Sequence, residues 1–132
     1  TDEDDWVAHI EALISQKDGT AALLAQAEHS RQAGKPEQAL ALLEEAATLQ
    51  PGYADVRCNF GRALMEMDRL DEALNEFKTA LGINPRYADA HALSGVVLRK
   101  MGDREGAESA FRAALEIHPT HPVATAELDR VQ

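Results

Sequence analysis

The sequence predicts an all-α fold, a right-handed α-solenoid of three helix-turn-helix repeats with a flanking helix at each end. Three observations carry that prediction. Pro51, Pro85 and Pro119 fall 34 residues apart. Ahead of each proline the same apolar set recurs: Ala39, Ala73 and Ala107, then Leu43, Phe77 and Phe111, then Ala46, Ala80 and Ala114. Between them, each interval contains a second break at Gly34 to Pro36, Asp68 to Arg69, and Gly102 to Asp103. Offsets of four and three residues place each apolar set on one helical stripe. A single hairpin cannot bury such a stripe by itself, so the periodicity demands stacking on neighbours.

Taken in order, residues 1–19 form an acidic N-terminal segment whose Trp6, Ile10, Leu13 and Ile14 share one helical face. Asp4 and Asp5 suit the N-terminus of that helix. It reads as a cap over the first repeat, with docking into a groove or onto a second chain as the alternative. Repeats follow at 20–53, 54–87 and 88–121. Gly34 and Gly102 suit the left-handed residue that ends a first helix, and Pro36 suits the first turn of the next. The prolines at 51, 85 and 119 end the second helices, because proline lacks the N–H and disfavours helical geometry in the residue before it. Leu49, Ile83 and Ile117 are expected to extend the buried stripe. Pro122 opens a last helix, residues 122–132, with Ala124, Leu128 and Val131 on one face.

Composition narrows the function. With 5% aromatic residues and many alanines, the chain suits closely packed helices and not a sheet with a cofactor crevice, so no cofactor is expected. A formal charge of -10 disfavours nucleic acid, whose phosphates require a dense Lys/Arg surface. No stretch approaches the roughly 18 apolar residues that cross a bilayer, so no direct membrane insertion is expected. The single Cys58 allows no internal disulfide, which fits a reducing, cytoplasmic compartment. The first residue, Thr1, fits a processed product or a slice of a longer protein, and a removed signal peptide stays open. His118 and His121 lack the further ligands of a zinc site. Cys58 and His91 open neighbouring first helices, yet no third group completes a catalytic pair, so no enzyme is expected.

These residues resemble the tetratricopeptide repeat family over 20–121, with small residues at Ala27, Gly61 and Gly95 and the Ala, Leu or aromatic, Ala and Pro positions filled in all three units. The first helices depart from the family's apolar pattern at Arg57, His91, Gln26, Ser94 and Ser30. The resemblance implies a non-enzymatic scaffold whose first helices line a concave groove for a peptide segment of a partner protein. Carried over by alignment, that groove holds Leu24, Glu28, Arg31 and Gln32; Asp55, Cys58, Asn59, Arg62, Met65 and Glu66; and Asp89, Ala92, Leu93, Val96, Arg99 and Lys100. Four acids balance four bases there. Arg62, in mid-helix, is set to hold a carboxylate, with Glu66 or Glu28 as its structural partners instead. Leu24, Cys58, Met65, Ala92 and Val96 supply apolar contacts. A family clamp of Lys, Asn and Arg for a chaperone's C-terminal carboxylate falls here on Leu24, Glu28, Asn59, Asp89 and Leu93. Only Asn59 agrees, so that ligand is disfavoured. Inner helices about 10 Å apart leave room for roughly six to nine extended residues. Two further readings stand beside this one: the recruiting or regulatory domain of a larger enzyme or signalling protein, and self-association through the Trp6 helix or the C-terminal end.

Overall fold

A computed structural model of the chain describes residues 19–131, and these form seven α-helices with no strand among them. They are α1 (Thr20–Gln32), α2 (Pro36–Leu49), α3 (Ala54–Glu66), α4 (Leu70–Ile83), α5 (Ala88–Lys100), α6 (Arg104–Ile117) and α7 (Pro122–Val131). The expected Trp6 helix lies outside the described residues, as does the side chain of Val131.

Each turn inside a pair is built alike. Gly34, Asp68 and Gly102 all have positive φ, at 77°, 61° and 91°. The residue after each donates its N–H back across six residues, as Lys35 to Ser30, Arg69 to Leu64 and Asp103 to Leu98, at 2.9 Å in every case. This satisfies helix carbonyls that would otherwise be orphaned. Asp68 takes the left-handed conformation without being glycine, which short polar side chains tolerate. The second helices end as the prolines require, with Gln50, Asn84 and His118 at φ near -135°. Asp103 caps α6 by accepting from the Gly106 N–H at 2.9 Å.

The predicted stripe is the core. Ala39, Ala73, Ala107, Ala46, Ala80, Ala114, Phe77 and Phe111 are fully buried, and Leu43 nearly so. Opposite the two phenylalanines stand glycines. A Cβ on Gly61 would meet the Phe77 ring at 2.7 Å, and one on Gly95 would press still closer on Phe111. In the first pair the smaller Leu43 shares its cluster with Ala27. A bulkier residue on the second helix is thus matched by a smaller one on the first. The stripe stops short of the helix ends, however. Leu49 and Ile83 are exposed, contrary to expectation, although Ala46 and Ala47 in the same turn as Leu49 are buried against Val56; Ile117 is half-buried beside α7.

Successive helices pack on one another along the chain, and α5 also meets α3 and α7 directly. No comparable contact joins α2 to α4 or α4 to α6. From α3 onward first helices therefore crowd the inside of a curved stack while second helices fan out; α1 and α3 have no comparable contact. Burial grows along the first helices: α1 buries Thr20 and Ala27, whereas α5 buries seven residues from Ala90 to Val97. Ala124 and Leu128 of α7 join the Phe111 cluster.

Gly61→Ala is expected to cost about 1–3 kcal/mol by overpacking against Phe77. Phe77→Leu in the same chain should restore part of it, so denaturant titration of the double-mutant cycle should give a clearly favourable coupling. Additive losses would mean that the two residues do not set the helix separation.

Candidate functional site

The face formed by α1, α3 and α5 carries the residues singled out by sequence, but much of its charge is already committed between helices. Arg31 grips Glu28 with Nη2 and Nε, at 2.5 and 3.1 Å, and reaches Glu66 of α3 with Nη1 at 2.8 Å. Gln32 adds a bond to Glu28 at 3.0 Å. The Arg31 hydrogen bond holds the Glu28 carboxyl below the usual range, although burial opposes it, and the Arg31 guanidinium is correspondingly harder to deprotonate. Arg99 makes the matching link two units on, donating from Nε to Glu127 of α7 at 2.7 Å. Arg31 and Arg99 occupy equivalent repeat positions, so the same device ties α1 to α3 and α5 to α7.

Asp55 and Asp89 open α3 and α5, yet they too are engaged, each by the last residue of its own repeat, which leads into the next first helix. The Tyr87 hydroxyl, from the residue that closes the same unit just ahead of α5, hydrogen-bonds Asp55; burial first, and that acid second, push the phenol above its ordinary range. One unit later His121 takes the same role. The Ala124 N–H donates to His121 Nδ1 at 3.3 Å, so Nε2–H is left to donate to Asp89 Oδ1 at 2.5 Å. His121 is thus both the cap of α7 and a staple to α5, with its side chain only 7% exposed. Tyr53, at the equivalent position of the unit before, faces Ala21 in register where the others have Asp, and it is exposed. The signal was present in the sequence: Tyr53, Tyr87 and His121 recur at the repeat interval, and Asp55 and Asp89 each precede their partners by 32 residues.

Several expected apolar contacts lie beneath the surface. Cys58 is 1% exposed, Ala92 is fully buried, and Leu93 and Val96 are nearly so. Burial pushes the Cys58 thiol up to about 11. Cys58 meets Tyr87, while His91 Nε2 lies 3.0 Å from the Pro85 carbonyl, and no hydrogen bond joins Cys58 to His91 among the described residues. Leu24 and Met65 are half-buried at the edges of the core clusters. Lys100 is exposed at the end of α5. No group of three or more potential metal ligands occurs among the described residues.

What remains open on this face is the middle of α3. Arg62 and Asn59, three residues apart, are half-exposed, and among the described residues neither makes an ion pair or side-chain hydrogen bond. Both anticipated partners of Arg62 are taken by Arg31, and Arg62 acts on Glu28 only through longer-range attraction.

His121→Ala should cost about 1–2 kcal/mol and fray α7, as loss of a cap does. Tyr53→Ala, at the position that lacks its acid, should cost less. Amide exchange across α7, together with the two melting curves, checks the contrast. For Cys58 the sign follows from its raised value: the unfolded thiol ionises near about 8.5, the folded one only toward 11. Its contribution to stability is complete below the lower value and is lost as pH rises between the two. Urea midpoints measured over that window should fall less steeply for Cys58→Ala than for the parent chain.

Comparison with known proteins places this geometry. Tetratricopeptide repeat profiles match residues 30–97 and 88–121. No curated protein sequence matches significantly. Among solved structures, the Arabidopsis OM64 tetratricopeptide repeat domain superposes with a TM-score of 0.82 at 20% identity, over 85% of this chain and 93% of that one. The first such domain of Spaghetti (RPAP3), bound to an HSP90 peptide, gives 0.81 at 20% identity over 85% and 89%. YrrB, described as having an unusual peptide-binding site, gives 0.78 at 27% identity over 83% and 57%. With its interval, its paired helices and these matches in agreement, the chain belongs to the tetratricopeptide repeat family.

Proposed function

We propose that the chain is a non-enzymatic scaffold that holds an extended peptide segment of a partner protein along the face of α1, α3 and α5. The observation that carries this reading is the pair Arg62 and Asn59. A mid-helix guanidinium and a neighbouring amide gain nothing from the helix dipole, and among the described residues neither has a partner within the fold. Arg62 is suited to a carboxylate through paired hydrogen bonds, and Asn59 to a peptide backbone through its donor and acceptor. Leu24 and Met65 flank them with half-exposed apolar surface, and Met65 can adapt its shape. Lys100 and the outer parts of Arg31 and Arg99 complete the rim.

The relatives of known structure support peptide capture as the general role, since one is bound to an HSP90 peptide and another to an HSP70 peptide. A chaperone's C-terminal carboxylate is nevertheless a poor ligand for this chain. Glu28 and Asp89 put negative charge where that family clamp needs cations, and Leu93 is buried. The preferred guest is an internal segment with apolar side chains and one acidic residue opposite Arg62.

Arg62→Glu should abolish most partner capture from native extract while leaving helical circular dichroism and melting temperature nearly unchanged, since no intramolecular pair is broken. Proteins retained by the parent chain and lost by the variant identify the ligand. Equal retention by both would remove this face from the function.

A further inference from the structure

A second surface lies along one edge of the stack, where second helices end and the next first helices begin. There the loops between successive units leave two clefts. The larger, about 620 Å³, lies between the loop before α5 and the loop before α7, and its lining includes Asp55, Asn84, Tyr87, Asp89, Ile117 and His121. The smaller, about 270 Å³, lies one unit earlier and shares Asp55, Asn84 and Tyr87 with the first while adding Tyr53. Three of the four large apolar side chains exposed among the described residues sit at this edge: Leu49, Tyr53 and Ile83. The fold gives none of them a role.

The charge of the edge is distinctive as well. Most acid–base contacts in the molecule pair a carboxylate with arginine, as at Glu28, Glu66, Glu76, Glu72, Glu127 and Glu108. Asp55 and Asp89 are exposed and have no Lys or Arg ion pair among the described residues. Each accepts from one donor, Tyr87 or His121, which fixes the carboxylate and leaves lone pairs unused. Arg86 also lines the larger cleft, so two carboxylates there face one guanidinium. An aromatic wall, an apolar floor at Ile117 and a fixed carboxylate at the rim together match a long side chain with an aliphatic stem and a cationic head.

We infer that this edge is a second docking site, for a basic segment of a partner protein in polyproline II conformation with arginine or lysine three residues apart. The spacing follows from the stack. Successive first helices lie about 10 Å apart, which one turn of polyproline II, three residues at about 3.1 Å each, spans while returning its side chains to the same face, so neighbouring cations reach Asp55 and Asp89 in turn. The residues between them meet Asn84 and Tyr87, which line the cleft with both carboxylates.

The test uses an acetylated, amidated hexapeptide of leucine and alanine with arginine at its second and fifth positions, titrated into the isotope-labelled chain. A companion peptide carries citrulline, which is nearly isosteric but uncharged, at those positions. Saturable amide shifts at Asn84, Tyr87, Asp89 and His118 are expected, with binding weaker by about tenfold or more for citrulline, as loss of a charge pair implies. The double variant Asp55→Asn, Asp89→Asn keeps acceptors for Tyr87 and His121. It should melt close to the parent chain and lose the arginine peptide. Equal binding of the two peptides, no saturable shift, retention of binding by a folded double variant, or shifts centred on Asn59 and Arg62 would each overturn the inference. The last outcome would leave the face of α1, α3 and α5 as the binding surface.

Discussion

The distance at which the two helices of each pair can approach is the constraint from which the rest follows. Gly61 lies against Phe77 and Gly95 against Phe111 so tightly that a single methyl group has no room. Dense packing of this kind lets short helices, few aromatic residues and many alanines form a continuous core. It also fixes where the stripe is spent. The second helices use their apolar side chains inside the stack, so the first-helix face is free to carry charge and polar groups.

That face is not uniformly available to a guest. Arg31 and Arg99 clasp the first helix of the next unit, and Asp55 and Asp89 are bound by the Tyr87 and His121 that immediately precede such a helix. Each link joins nearest neighbours, which is how a quasi-one-dimensional array holds itself together. Arg62 and Asn59 stand apart because their neighbours' bonding capacity is already used. Function on this reading occupies what structure leaves over: a polar pair at the middle of the inner face and fixed carboxylates along one edge.

The sequence made the repeats legible because the interval, the breaks and the Ala stripe are all local or strictly periodic. Gly34 and Gly102 marked left-handed turns, and the structure adds Asp68 at the same repeat position. Less visible was how far each stripe is covered. Leu49 and Ile83 continue the helical pattern, yet the neighbour that buries Ala46 and Ala47 in the same turn as Leu49 leaves Leu49 itself exposed, and Ile83 is exposed at the matching place. Cys58, Ala92 and Val96 occupy first-helix positions that alignment alone assigns to a groove, yet burial is decided by the neighbouring unit's bulk. Arg62 was assigned a choice of partners by helical spacing; Arg31, from another unit, took both. The Tyr87 and His121 staples depend on contacts 32 residues apart, which become apparent only when one repeat is laid on the next.

Stability distributed through nearest-neighbour contacts has a direct signature in native-state hydrogen exchange. The account predicts graded protection: greatest in α5, where seven residues are buried, and lowest in the end helices α1 and α7, where two and, among the described side chains, one are. Amides of α3 and α4 should fall between, each pair opening with its own free energy. One uniform opening energy across α1 to α7 would contradict it, because it would describe a single cooperative bundle in place of stacked hairpins.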